Sequence, residues 1–334
     1  MGRVSTLCLL VVLLATAANA YECSPDPYHD AAHDECNGFR YVPNRALNII
    51  ACGLYSLCGL IFILSTSRRH APLTPDHLIF RGWYFFALTF GTGMMAGGIA
   101  IRVVYYDRLH WDAGYGGQQL LIILAPCLLI AANYVLLGRI AAHLDARRHM
   151  FIPPRAVSWI FVVSDIGTFF VQGGGGGLSS NKDPKLAHIG QKLLLAGLIA
   201  QLVSFAIFSA LWLVFTLRVR RDDALWNHPG WKPLNYCLGV NCVCFLIRNT
   251  FRMIEFTQGW HGYLATHEVY WAVLEALPVL IAISLFTWFW PSRILTERRR
   301  PVSGEFIPLA PKPADRVELL SRGEADMSYR HGVY

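Results

Sequence analysis

Charged residues are scarce in this chain of 334 residues. Asp, Glu, Lys and Arg together make up 15% of it, whereas hydrophobic residues make up 54%. That balance is unlike the composition of an ordinary soluble domain. The sequence also lacks a phosphate-binding Walker motif, and its apolar runs contain almost no histidine to form a catalytic zinc site. We therefore predict a membrane protein that is not an enzyme and carries no metal or other cofactor.

Seven apolar runs are each close to the length of about 20 residues that crosses a bilayer as an α-helix. The sequence thus predicts an all-α fold, a seven-transmembrane helix bundle over residues 46–292. The fourth run is the shortest. The runs cover residues 46–66, 79–105, 119–140, 156–172, 191–217, 234–255 and 268–290.

The two ends of the chain differ from the bundle. Residues 1–20 have the basic start, short apolar core and small-residue cleavage site of a secretory signal peptide. We then expect residues 21–45 to form a short extracellular segment, and residues 293–334, rich in Pro and charge, to form a disordered cytosolic tail. Arginines concentrate in alternate loops, which by the positive-inside rule places the N-terminus outside and the C-terminus in the cytosol. The net charge of +7 then reflects the arginines of the predicted cytosolic loops and does not indicate nucleic-acid binding.

Cys23 and Cys36 differ from the other cysteines because they flank a short polar segment on the predicted outer side. An oxidising compartment favours a disulfide between them. His29 and His33 lie within this loop, but two histidines without a third ligand do not make a metal site. Six of the remaining cysteines lie in the apolar runs, where Cys is usually a small packing residue.

Several ionisable residues lie inside the apolar runs, where a charge needs a partner, water or a function. Arg248, Arg252 and Glu255 are spaced i, i+4 and i+7, so they share one face of the sixth helix. Glu268 and Glu275 are also seven residues apart and are expected on one face of the seventh. Arg248 and Glu275 each lie about 12 Å below the outer boundary at the helical rise. We predict an ion pair between them.

Other polar and small residues extend this pattern. Asp165 precedes Gln172 by seven residues and is expected about 10 Å below the outer surface. Together the charges indicate a polar cavity that opens outward, although they could equally only hold helices together. Residues 173–177, all glycine, are expected to form a flexible outer loop. Gly93 and Gly97 suggest close helix packing in the second run.

Four segments resemble hallmark sequences of the fungal lipid-translocating exporter family, the RTA-like proteins. They are "QQLLIILAPCLLIAANYVLLGRI", "FVVSDIGTFFVQGGGGG", "GLIAQLVSF" and "RNTFRMIEFTQGWHGYLATHEVYWAVLEALP". The last maps the family's motif onto Arg248, Arg252, Glu255, Gly259, Gly262, Glu268 and Tyr270, and Glu275 stands where the family usually has Asp.

The resemblance implies a plasma-membrane protein that translocates amphipathic lipids, such as sphingoid long-chain bases or related toxic amphipaths. Its partners would be membrane lipids and that lipid substrate. Our hypothesis is that Asp165, Glu255, Glu268 and Glu275 hold the cationic head group in the cavity.

A seven-helix lipid or stress sensor without transport activity is the alternative, because receptors share this topology. The chain lacks an Asp-Arg-Tyr-like sequence after the third run and Asn-Pro-x-x-Tyr in the seventh. Without these two motifs, the sequence gives no support to coupling with guanine-nucleotide-binding proteins.

Overall fold

The computed structural model describes residues 28, 37–67, 75–144, 146, 150, 153–179, 183–228, 230–259 and 262–289. The predicted signal peptide, the predicted Cys23–Cys36 disulfide and the predicted cytosolic tail lie outside the described residues.

Seven long helices account for most of the described chain, and each is long and apolar enough to cross a membrane. The prediction of an all-α, seven-helix membrane protein is therefore confirmed. A one-turn helix, Asp223–Trp226, precedes the sixth. We name the seven helices α1 (Arg45–Ser67), α2 (Pro75–Tyr105), α3 (Asp112–His143), α4 (Pro154–Ser179), α5 (Pro184–Arg220), α6 (Lys232–Gln258) and α7 (Glu268–Trp288).

Local sequence explains where several of these helices begin and end. Pro184 lies in the first turn of α5, where a missing N–H costs nothing, and the Asp183 side chain accepts a hydrogen bond from the Lys185 N–H at 3.0 Å. Gly259 ends α6 with a φ of 72°, which glycine adopts without strain.

The helices pack in chain order as a ring that closes where α7 contacts α1. Helix α3 also contacts α6 across the bundle, and it is the most deeply buried of the seven. Large apolar side chains such as Ile50, Leu57 and Ile63 stand exposed along α1. An exposed apolar surface of this kind suits contact with lipid.

Helix α4 runs through all five glycines of residues 173–177 and ends only at Ser179. The expected flexible loop is therefore wrong. A Cβ on Gly175 would lie 2.5 Å from the Leu194 backbone nitrogen and 2.9 Å from the Gly190 carbonyl oxygen of α5. Only glycine allows two backbones to approach this closely. This packing against α5 stabilises the helical conformation of residues 173–177, although glycine itself has a low helix propensity.

Close packing of α2 also involves other glycines than predicted. A Cβ on Gly93 would contact nothing, and one on Gly97 would only touch Leu121. Gly91 and Gly98 instead face α3, where an added Cβ would lie 3.0 Å from Leu129 and 2.7 Å from Ile122 respectively.

One end of the bundle is covered by residues 37–44, which precede α1. We call residues 37–44 the cap segment, and this end of the bundle the cap end. Phe39 packs edge-on against Tyr105 and Tyr115, and the Gly38 N–H donates to the Tyr105 hydroxyl at 3.2 Å. The cap segment is thus bound to the ends of α2 and α3.

Candidate functional site

The charged residues of α6 meet a single glutamate of α7. Arg248 and Arg252 have no exposed side-chain surface, and neither has Glu275. Arg252 donates through Nε to Glu275 Oε1 at 2.5 Å, and its Nη2 contacts Oε2. Arg248 Nη2 lies 3.4 Å from Glu275 Oε1. The predicted ion pair between Arg248 and Glu275 is therefore present, and Arg252 shares the same carboxylate.

Glu255 completes the stripe on α6. Its Oε2 accepts from Arg252 Nη1 at 2.7 Å, and its side chain is 14% exposed. Arg252 thus lies between two carboxylates, one fully buried and one at the margin of the bundle. Charge-assisted pairs of this kind are what allow guanidinium groups to be buried.

Arg248 also bonds to backbone and amide groups. Its Nη2 donates to the Ile122 carbonyl oxygen of α3 at 3.0 Å, and its Nη1 donates to Asn249 Oδ1 at 3.2 Å. Arg248 therefore joins α3, α6 and α7 at one point.

Glu275 lies in a π-helical turn, Trp271–Ala276, which interrupts α7 just before Pro278. Such turns widen the helix locally and are frequent at functional sites. The Tyr55 hydroxyl of α1 donates to the Ala276 carbonyl oxygen at 2.6 Å. The irregular backbone is thus supported by a neighbouring helix, as the membrane interior requires.

A second ion pair lies nearer the cap segment. Arg102 of α2 is buried, and its Nη2 lies 3.2 Å from Glu268 Oε1. The Arg102 guanidinium carbon lies 4.3 Å from the centre of the Phe39 ring and 4.0 Å from that of Trp271. Cation–π contacts of this length stabilise a buried cation. The cap segment and α7 therefore enclose Arg102 from both sides.

Glu268 also holds the cap segment directly. Its Oε2 accepts from the Asn44 backbone N–H at 2.7 Å, and its Oε1 accepts from Asn48 Nδ2 at 2.8 Å. Glu268 and Glu275, expected on one face of α7, thus bind different neighbours. Glu268 turns to α1 and α2, and Glu275 turns to α6.

Tyr41 of the cap segment accepts a hydrogen bond from Arg102. Burial raises the pKa of the Tyr41 hydroxyl, although the positive charge of Arg102 opposes this effect. The hydroxyl is therefore neutral, and the contact adds no negative charge to the site.

A small cavity lies between the two ion-paired groups. Its volume is about 30 Å³, enough for about two water molecules. This volume is too small for a lipid head group, and the cavity is lined by Glu255 but not by Asp165, Glu268 or Glu275. The outward-opening polar cavity therefore stays a prediction. The lining includes residues of the cap segment, α2, α3, α6 and α7, among them Tyr41, Arg102, Tyr115, Arg252, Glu255 and Trp271.

Asp165 and Gln172 are not part of this cluster. Because α4 continues to Ser179, Asp165 lies about 21 Å from that end of the helix. Its predicted depth of about 10 Å below the outer surface stays a prediction. Asp165 Oδ2 accepts from the Tyr134 hydroxyl at 2.8 Å. Gln172 donates to Gln201 at 2.7 Å, and Gln201 contacts the Cys127 sulfur at 3.2 Å. These residues connect α3, α4 and α5 instead.

Tyr270 also lies away from the buried charges. Its ring packs with Tyr263 and His267 in the connection that leads into α7. The site also includes Tyr41 and Asn48, which the sequence does not indicate, together with Arg102. Arg102 was detectable as a charge inside an apolar run, but nothing in the sequence indicates the partners of Tyr41 and Asn48.

The fold and this arrangement define an integral membrane protein of seven helices. Five of them, α1, α2, α3, α6 and α7, are joined at one end by a network of three arginines and three glutamates in two ion-paired groups. Residues 88–298 match the family described as "RTA1 like protein". The match covers more than half of the chain, which therefore belongs to the RTA1-like family, as its sequence motifs predict.

Curated relatives cover most of the chain. Protein RTA1 of Saccharomyces cerevisiae (strain ATCC 204508 / S288c) is 27% identical in an alignment of 276 residues that covers 78% of this chain and 86% of the relative. Protoporphyrin uptake protein 1 of the same strain is 32% identical in an alignment of 275 residues that covers 75% of this chain and 90% of the relative. Sphingoid long-chain base transporter RSB1 of strain YJM789 is 25% identical in an alignment of 321 residues that covers 83% of this chain and 78% of the relative. No solved structure matches the chain.

Proposed function

We propose that this protein translocates amphipathic lipids across the plasma membrane, with sphingoid long-chain bases or related toxic amphipaths as substrates. The names of two relatives support transport of such molecules. The position of two glutamates supports the proposal most strongly. Glu255 and Glu268 reach the partly exposed margin of the cap end, and each is paired there with an internal arginine.

A long-chain base has an ammonium head group and an apolar tail. The ammonium would take the place of Arg252 at Glu255, or of Arg102 at Glu268, while the tail stays in hydrocarbon. Each displaced arginine keeps a second partner, because Arg252 retains Glu275 and Arg102 retains its aromatic neighbours. The exchange thus avoids leaving an isolated charge in the membrane.

Entry of a head group requires the cap end to open. The cavity of about 30 Å³ is too small for a long-chain base. Glu268 binds the backbone of the cap segment through Asn44, so a cation at Glu268 competes with the contact that keeps this end closed. A ligand that binds the open state better shifts the population towards it.

The activity can be tested with purified protein in phospholipid vesicles. A fluorescent long-chain base is added to one leaflet, and its arrival in the other is followed with a membrane-impermeant quencher. We expect faster movement than in protein-free vesicles, and slower movement with Glu255→Gln or Glu268→Gln.

The sensor alternative predicts a different result in the same experiment. The base would then bind the protein, measured by fluorescence anisotropy in detergent, without any acceleration of its movement between leaflets. That outcome would overturn the proposed function.

A further inference from the structure

Asp165 is an acidic residue near the middle of the membrane-spanning part of α4. It lies about 16 Å from the start of the helix at Pro154 and about 21 Å from its end at Ser179. Its exposure is 3%, and the described part of the chain gives it no Arg, Lys or His as an ion-pair partner. The mechanism proposed above does not use it.

Among the described residues, Tyr134 supplies the single hydrogen bond that the Asp165 side chain receives. The Tyr134 hydroxyl donates to Oδ2 at 2.8 Å, whereas Oδ1 has no hydrogen-bond partner among the described residues. An ionised carboxylate without a cation is costly in hydrocarbon, and the cost falls sharply when the carboxyl binds a proton. The free Oδ1 leaves one atom at which that proton can be held.

The groups around Asp165 do not provide a competing charge. On α3 it faces Tyr134, and the thiol of Cys127 interacts with it electrostatically. Helix α5 presents the rings of Phe205 and Phe208 to Tyr134, and neither ring titrates. On α6, Cys242 interacts with Tyr134.

We propose that Asp165 is a proton-binding site within the membrane, and that proton transfer at this site drives substrate movement. In the proton-loaded state, the carboxyl carries a hydrogen on Oδ1. Release transfers that proton to a water molecule that reaches Asp165 from one face of the membrane, giving hydronium and a carboxylate that keeps the Tyr134 hydrogen bond. Uptake from water on the opposite face restores the acid. The part of the inference that concerns substrate movement rests on the proposed function.

Helix α3 provides a physical connection between this site and the cap end. Its Tyr134 hydroxyl donates to Asp165, and its Ile122 carbonyl oxygen accepts from Arg248. A shift of α3 that accompanies a change of charge at Asp165 would therefore reach Arg248, a member of the cap-end network. This coupling needs no direct contact between Asp165 and the substrate.

Vesicles with an imposed pH gradient test the coupling. In the wild-type protein, a gradient of one orientation should drive net movement of the fluorescent long-chain base, and the reverse gradient should oppose it. One pH unit supports at most about a tenfold accumulation for each coupled proton. Asp165→Asn keeps an oxygen for Tyr134 and should abolish the gradient dependence. The matched control Asp107→Asn, at an exposed ion pair with Arg45, should retain it.

Infrared spectroscopy tests proton binding itself, without reference to transport. The wild-type protein should show a carbonyl band of a protonated carboxyl that disappears as pH rises, and the band should be missing from Asp165→Asn. If that variant does not fold, Tyr134→Phe serves instead, because it keeps the carboxyl but should change the pH at which the band disappears.

The outcomes separate the two proposals. The coupling is overturned if the pH gradient does not change movement of the base by the wild-type protein, or if it still changes movement by the Asp165→Asn protein. A protein that moves no long-chain base at all overturns the proposed function, and the proton site is then decided by the infrared band alone. A band that is absent, or that is unchanged by pH, overturns the proton site.

Discussion

Arg248 donates a hydrogen bond to the carbonyl oxygen that Pro126 leaves without a donor. In a regular helix the carbonyl of Ile122 accepts from the N–H of residue 126, and proline has none. Arg248 Nη2 lies 3.0 Å from that oxygen. Pro126 thus frees a buried acceptor in α3, and Arg248 in α6 supplies the buried donor that it needs.

This relationship predicts that the effects of two substitutions will not add. Arg248→Met should destabilise the protein by about 3 kcal/mol, because Glu275 loses a cation and the Ile122 carbonyl loses its donor. In a Pro126→Ala background the helix supplies an N–H to that carbonyl, so the same substitution should cost about 1 kcal/mol less. Chemical unfolding of all four proteins in detergent measures the difference. Strictly additive effects would show that the two residues are independent.

Substitutions of Glu255 and Glu275 should distinguish a role in binding the head group from a role in holding the helices together. Glu275 is fully buried between two arginines, so Glu275→Gln should cost about 3 kcal/mol or more of stability. Glu255 is partly exposed, and Glu255→Gln should cost about 1 kcal/mol or less.

The two variants should nevertheless both lower cellular tolerance to long-chain bases, with Glu255→Gln still present in the membrane at the wild-type amount. Quantitative immunoblotting and growth assays, with Asp107→Asn as control, provide the comparison. Normal tolerance of Glu255→Gln would indicate that the network only holds helices together.

The contact between Glu268 and Asn44 should control the cap segment. Glu268→Gln replaces the charged acceptor of the Asn44 N–H with a weaker neutral one. Hydrogen exchange of a peptide that covers residues 37–48 should therefore become faster. Exchange within α3 should remain unchanged. If the cap segment exchanges at the wild-type rate, Glu268 does not keep this end closed.

Two adjacent glycines should respond in opposite ways to the same change. Gly175→Ala places a methyl group against the backbone of α5 and should destabilise the protein by about 1 to 3 kcal/mol. Gly174→Ala meets no neighbouring atom, and it should be neutral or stabilising by about 1 kcal/mol at most. Thermal unfolding of the two variants is the measurement. Equal effects would contradict the close contact between α4 and α5.

The helices and the Arg248–Glu275 pair could be predicted because they depend on the length of an apolar run and on the rise per residue of a helix. Apolar length fixes a membrane span, and the rise per residue fixes the depth of a side chain once both helix ends are known. The predicted depth of Asp165 assumed that α4 ends at Gln172, whereas the helix ends at Ser179. Glycine has low helix propensity, so the glycine run was expected to end α4, and only its contact with α5 explains why the helix continues.

Other parts of the site depend on tertiary contacts that have no local signal. The π-helical turn that holds Glu275 is stabilised from α1 by Tyr55, and the cap segment is positioned by Glu268, more than 200 residues away in the chain. A pattern of period 3.6 places Glu268 and Glu275 on one face, but the irregular turn between them gives each a different partner.

In the proposed function, carboxylates at the cap end receive a cationic lipid head group. The decisive experiment compares a long-chain base with its N-acetylated, uncharged analogue in vesicles that contain the wild-type protein or Glu268→Gln. We expect the wild-type protein to move the cationic lipid faster than the analogue. Glu268→Gln should remove this difference while leaving movement of the analogue unchanged. Equal movement of both lipids by the wild-type protein, or a charge preference that survives in Glu268→Gln, would contradict this role of the carboxylates.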